Sequence, residues 1–98
     1  MEPSQLHAVA GNGSLTLRIN GPMDLLLTMA LREHCDDTGP AYRRYIVDFQ
    51  NVSIVRDSGL ALLLMLKRWA TRAGATLCVI NGNRDLMRRC ISLGIGPA

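Results

Sequence analysis

Between Ser14 and Ile19 apolar and polar residues alternate without a break, with Leu15, Leu17 and Ile19 on one side and Ser14, Thr16 and Arg18 on the other. A period of two is the mark of a half-buried β-strand. Gly11-Asn12-Gly13 stands just before it, and its Asn-Gly step tolerates positive φ and signals a hairpin. Leu6 to Ala10, apolar at positions 6, 8, 9 and 10, supplies the first strand of that hairpin. Gly21-Pro22 is expected to break the second strand. Asp24 is a helix N-cap residue type, and Leu25 to about Cys35 reads as a helix closed by Asp36-Asp37-Thr38-Gly39-Pro40. Tyr45 to Phe49 is β-rich and apolar except for Asp48, the pattern of a central strand. After an apolar step at Val52 and Ile54, Ser58-Gly59 opens the strongest helix of the chain, Leu60 to Ala73, which Gly74 stops at a C′ position. Thr76 to Ile80 reads as another buried strand. Asn83 caps a last helix from Arg84 to about Leu93, and Gly94 ends it.

The predicted order is ββαβαβα in a single α/β domain spanning residues 1–98. Strands separated by helices imply right-handed crossovers and mainly parallel pairing, with an antiparallel hairpin at the start. The sheet is therefore mixed, with helices packed against it. Tyr45–Phe49 is expected at its centre, between Ser14–Ile19 and Thr76–Ile80, with cover on both faces of the apolar runs. There is no internal repeat and no low-complexity segment.

Composition narrows the class further. The 98 residues are 48% hydrophobic and 19% charged, too apolar for intrinsic disorder. The longest apolar run, Leu60 to Leu66, falls far short of the ~20 residues a bilayer span requires, so no membrane insertion is expected. Met1 to Gln5 carry an acid and a proline rather than a basic flank and an apolar stretch, the reading of a cytoplasmic chain. Three cysteines without CxxC spacing fit reduced thiols. Charge is unevenly distributed. Residues 1–55 hold four basic and six acidic side chains, a net −2, and residues 56–98 hold seven and two, a net +5. With only four aromatics there is no stacking platform for single strands, and nucleic acid is not an expected partner.

Catalytic and metal-binding patterns are thin. Neither His7 nor His34 has a serine or cysteine nucleophile placed beside it by the sequence, and no ligand spacing for zinc is present. Gly11-Asn12-Gly13 is too short to cradle a phosphate and precedes a strand, not a helix. No enzyme activity, catalytic residue, metal or cofactor is expected. The informative segment is Val47 to Leu66, VDFQNVSIVRDSGLALLLML, in which a buried strand leads through a polar turn to the start of an apolar helix. The free N–H groups of such a helix start favour negative charge, whether a capping Asp57 or Ser58, an anion or a phosphoserine.

This segment resembles the signature of STAS domains, the fold of bacterial anti-sigma factor antagonists, in which an apolar strand leads to Asp-Ser-Ser/Thr-Gly-Leu and an apolar helix. Gly21-Pro22-Met23-Asp24 is similar to that family's Gly-Glu-Leu-Asp after the second strand, and the likeness extends through Asn81 and the last helix. The resemblance implies a signalling module whose first hydroxyl after the Asp is phosphorylated by a partner kinase. In a gap-free alignment, Arg56 takes the place of that Asp, Asp57 the phospho-acceptor position and Ser58 the second hydroxyl position. With one residue deleted, Ser58 becomes the acceptor. A carboxylate at the acceptor position carries about one negative charge, against about −1.5 to −2 for phosphoserine, and cannot be cycled. Asp24 is expected close to this turn, with Arg56 as the cation between the carboxylates of Asp24 and Asp57.

The expected partner-binding surface comprises Asp24, Arg56, Asp57, Ser58, Gly59, Leu62, Met65 and Trp69. Along the helix, Leu60, Leu63 and Leu64 form one apolar face and Leu62, Met65, Leu66 and Trp69 another, of which one is available to the sheet and the other to a partner. The implied partner is an anti-sigma factor or serine kinase. The chain is expected to stop after the last helix, at Gly94-Ile95-Gly96-Pro97-Ala98, short of the further strand and helix of the sporulation-type antagonists. Gly59-Leu60-Ala61-Leu62-Leu63-Leu64 is also similar to the small STAS subunits of lipid-transport ABC complexes, which implies a transporter ATPase as the alternative partner. A small hydrolase with Ser58 as nucleophile is a second alternative, and it requires a histidine beside Ser58. Oligomeric state is not legible in the sequence.

Overall fold

Strand β3 (Arg44–Val55) runs through the middle of a five-stranded sheet, with β2 (Ser14–Met23) on one side and β4 (Thr76–Ile80) on the other. The computed structural model describes residues 4–33 and 42–98. Strand β1 (Gln5–Ala10) pairs antiparallel with β2, while β2–β3, β3–β4 and β4 with the short β5 (Gly96–Pro97) are parallel. A 3-10 turn (Leu25–Leu27) leads into helix α1 (Thr28–Arg32), and α2 (Asp57–Arg72) and α3 (Arg84–Ser92) follow β3 and β4. The mixed α/β sheet, its opening hairpin and its central strand agree with the sequence pattern.

Among the described residues the core lies on one face of the sheet, not two. Leu15, Leu17 and Ile19 of β2, Tyr45, Val47 and Phe49 of β3, and Leu77 and Val79 of β4 form a single cluster with Leu27, Leu31, Leu62, Leu63, Leu66, Ala70 and Cys90 from the helical layer. Parallel register puts Leu17, Val47 and Val79 side by side on that face. The alternate positions Thr16, Arg18 and Ile46 lie outside the cluster, as the two-residue period demands.

Four boundaries depart from expectation. Gly21-Pro22 does not break β2, which continues to Met23. Pairing with β1 stops at Gln5↔Asn20, so the N–H that Pro22 lacks has no ladder to complete on that side. Gly21, at φ 88°, absorbs the local irregularity. Strand β3 outruns Phe49 by six residues because it carries register irregularities against β2, between Arg18 and Asn20 and again between Gly21 and Met23. The helix expected from Leu25 begins instead as a 3-10 turn, since Leu27 N–H bonds the Asp24 carbonyl at 3.2 Å and Thr28 Oγ1 donates to the Leu25 carbonyl at 2.6 Å. Its expected end at Cys35 lies outside the described residues. The chain also does not stop at α3: Ile95 is fully buried, and Gly96–Pro97 pairs with Cys78 and Val79.

One buried carboxylate holds the second face together. Asp48 is 2% exposed and accepts hydrogen bonds from Gln50 N (3.0 Å), Asn81 Nδ2 (3.0 Å) and Arg18 Nε (3.4 Å). The Gln50 bond satisfies an N–H at the first irregularity of β3. The Asn81 bond pins the turn after β4, where Asn81 adopts φ 63°. Burial alone favours the protonated acid, but the three donors outweigh it and hold the carboxyl below its ordinary 3.8. Its stabilising contribution is therefore complete above that ordinary value and is lost as pH falls through the lower folded value. Asp48→Ala should cost about 2–3 kcal/mol in urea denaturation, mostly from the two orphaned donors, because Arg18 is half exposed. Asp48→Asn should remove the acid-side loss; an unchanged acid profile would contradict this assignment.

Candidate functional site

The end of β2 and the start of α2 meet at the carbonyl of Met23. Arg56 N–H donates to it at 3.1 Å, and Gly59, in the first turn of α2, packs so close that a β-carbon there would collide with the same oxygen. Only glycine fits. Ser58 completes the junction: its Oγ accepts the N–H of Leu25 at 3.1 Å. Asp24 Oδ1 accepts from Leu26 N at 3.0 Å, which caps the 3-10 turn. The structure thus brings Asp24, Arg56, Asp57 and Ser58 into one corner, although more than thirty residues separate Asp24 from Asp57.

The roles within this corner differ from those predicted. Neither Asp57 nor Ser58 is the N-cap of α2. That place belongs to Arg56, in an extended conformation and without a side-chain capping bond, and Asp57 is the first helical residue. Asp57 is exposed, and its carboxylate stands in the first turn, where the helix dipole favours it. Arg56 is not the expected bridging cation. Among the described residues the ion pairs are Arg18–Asp48 and Arg89–Asp85, and none joins Arg56 to Asp24 or Asp57.

Helix α2 does not divide into the two apolar faces expected. Gly59, Leu62, Leu63, Leu66 and Ala70 are its buried residues, a stripe of 3.6-residue period that takes members from both predicted faces. Gly59 and Leu62 therefore belong to the interior and are not part of the exposed surface of the motif turn. Trp69 is half-buried, edge-on to Tyr45 with ring centroids 4.9 Å apart. Met65 remains exposed.

Sequence reasoning overlooked the most exposed apolar side chains beside the corner. Leu25, Leu26 (74% exposed) and Met29 (73% exposed) stand on the 3-10 turn and α1. A signal was present in Leu25-Leu26-Leu27, since three successive residues on a helical turn point in three directions and cannot all face one core. Only Leu27 does.

Among the described residues, the hydrogen-bond partner of the Ser58 hydroxyl is the Leu25 amide, and no general base contacts it. His7 pairs with Arg18 on β1 and β2, about five residues along β2 from Met23, roughly 16 Å away at strand spacing. His34 lies outside the described residues. No three His, Cys, Asp or Glu side chains converge among the described residues. Cys78 and Cys90 are buried free thiols, and burial pushes the Cys90 thiol up. No described helix is long and apolar enough to cross a membrane.

No protein-family model matches the sequence, and no curated protein matches it. Solved structures do. The unphosphorylated form of the anti-sigma factor antagonist SpoIIAA superposes with a TM-score of 0.74 at 18% identity, covering 98% of this chain and 87% of that one. An anti-sigma factor antagonist from Mycobacterium paratuberculosis gives 0.65 at 13% identity, with 98% and 87% covered. At these identities the likeness is one of fold, and it extends over nearly the whole chain.

The Met23 junction makes a direct test possible. Gly59→Ala should lower stability by about 2 kcal/mol or more, because the obstacle is a backbone carbonyl and not a flexible side chain. Ser58→Ala should cost only about 0.5–1 kcal/mol, since the exposed Leu25 amide can turn to water. Urea midpoints in the reverse order would contradict this account of the corner.

Proposed function

Starting from the STAS fold of this chain, we propose that it is a non-enzymatic, cytoplasmic signalling module of the anti-sigma factor antagonist kind, docking a protein partner through the Asp24–Asp57 corner. The observation that carries this is the bond from Leu25 N–H to Ser58 Oγ. It ties the motif turn to the 3-10 turn and α1, on which Leu25, Leu26 and Met29 are exposed, with the exposed Asp57 one residue before Ser58. Exposed leucine and methionine next to a fixed charge make a protein interface, with apolar area for affinity and charge for register. The partner is an anti-sigma factor or serine kinase, a reading supported by the likeness of fold to two anti-sigma factor antagonists.

The same bond bears on regulation. Ser58 Oγ is held by the Leu25 amide on a partly buried side chain, so a kinase would have to loosen the corner to reach it. Asp57 stands one residue earlier, exposed, with a permanent single negative charge. We therefore take Asp57 as a fixed charge at the phospho-acceptor position and Ser58 as a structural residue, so that partner binding does not respond to ATP and kinase.

Affinity capture from the native host with the wild-type chain as bait should recover an anti-sigma factor or kinase-like protein. Leu26→Glu should lose it. Asp57→Ser should change affinity roughly tenfold to a hundredfold, the effect of removing a charge-assisted contact worth on the order of 1–3 kcal/mol. Intact-mass measurement of the chain isolated from its host should show no +80 Da species, that being the mass a phosphoryl group adds. A stoichiometric phosphoryl group mapped to Ser58 would make Ser58 the acceptor and overturn the fixed-charge assignment.

A further inference from the structure

Away from the Asp24–Asp57 corner, helices α1 and α2 enclose an open groove of about 340 Å³. Its floor is apolar and sunken: Leu31, Leu62 and Leu66 are each at most 5% exposed. Met65 and Trp69 form part of its wall, and Arg32, Arg68 and Arg72 stand in the lining with Thr28. Met65 and Trp69 were expected from the sequence to share one surface with the motif turn, but the structure gives them to this groove. Arg68 and Arg72 are two of the seven basic side chains of residues 56–98, and Arg32 adds a third cation from α1. No described carboxylate pairs with any of them, and no acidic residue is among the described groove lining.

We propose that this groove binds an acidic amphipathic helix of a protein partner. The shape requires an apolar ridge that can enter between two helices. A flat anionic bilayer cannot reach a floor that lies below the surface, whereas one face of a helix can. The wall from Met65 to Arg72 spans eight residues of α2, seven steps of helical rise or about 10 Å, which matches two turns of a bound helix. The charge requires carboxylates on the flanks of that ridge. Guanidinium groups pair with them bidentately, and Arg and Trp are the residue types that dominate interface energetics. A second copy of this chain does not fit. It carries a net charge of +3, and among the described helices α2 and α3 each hold a single acid, Asp57 and Asp85, while α1 holds none. The groove is separate from the motif turn, so this inference stands apart from the fixed-charge proposal.

A random library of displayed 16-residue peptides, panned against the full chain, tests the idea. Enriched sequences should place apolar residues at i, i+3 or i+4, and i+7, with several Asp or Glu between them. A synthetic peptide of the enriched pattern should shift backbone amide resonances of α1 and α2 and weaken as salt is raised. Arg68→Glu/Arg72→Glu should reduce its affinity at least tenfold, and Arg68→Gln/Arg72→Gln by less. Both variants are checked for folding by circular dichroism. Asp57→Ser should leave peptide affinity unchanged, which separates this groove from the corner. Enrichment of neutral or basic peptides, or indifference to both arginine pairs, would overturn the proposal. So would arginine-dependent binding to phosphatidylglycerol vesicles with no peptide enriched, or an arginine-dependent dimer in light scattering.

Discussion

The carbonyl of Met23 is the point on which the corner between β2 and α2 depends. It takes a hydrogen bond from the backbone of Arg56 and lies against the bare α-carbon of Gly59, so β2 and α2 touch backbone to backbone. Side chains cannot impose so close an approach, and a single β-carbon would prevent it. Once the two segments are joined there, Ser58 reaches Leu25 and Asp24 caps its own turn. The exposed leucines and Met29 are then held on a short, tightly wound segment beside the motif. A surface fixed in this way loses little conformational freedom on binding.

A second anchor works on the opposite side of the sheet. Asp48 gathers donors from β2, β3 and the turn after β4, tying together the strand irregularities that let β3 run on to Val55. That extension carries the chain to the height of Met23, where β2 and β3 pair for the last time, Met23↔Val55. Placement of α2 thus rests on two polar devices, one in the sheet and one at its end, with a one-sided apolar core between them. Burying a charge is costly unless it is fully partnered, and among the described residues no buried side-chain polar atom lacks a hydrogen bond.

The division of labour along α2 follows from this placement. Its first turn, held at Met23, presents Asp57 outward and Gly59 inward. Its middle gives Leu62, Leu63 and Leu66 to the core, and its last two turns present Met65, Arg68 and Arg72 across from α1. A single helix therefore borders two surfaces of different chemistry, one acidic and apolar, the other basic and apolar.

Period and punctuation alone determined much of this protein. The alternation from Ser14 to Ile19, the buried run from Thr76 to Ile80 and the Asn83 cap of α3 fall where the sequence puts them, as does β3 at the centre. The likeness of Val47–Leu66 to the STAS signature likewise pointed to the fold that the solved structures share. These are local signals, written in residues a few positions apart. What only tertiary structure decided involves partners far apart in the chain. Gly21-Pro22 stays in β2 because β1 has already ended, and Gly96–Pro97 becomes a strand because β4 has a free edge. Arg56 caps α2 without pairing with an acid, and Leu62 turns inward while Met65 stays out, because the Met23 contact sets the rotation of the helix. Apolar residues of 57–72 fall on more than one face of the helix, and the choice among them is made by a carbonyl more than thirty residues earlier.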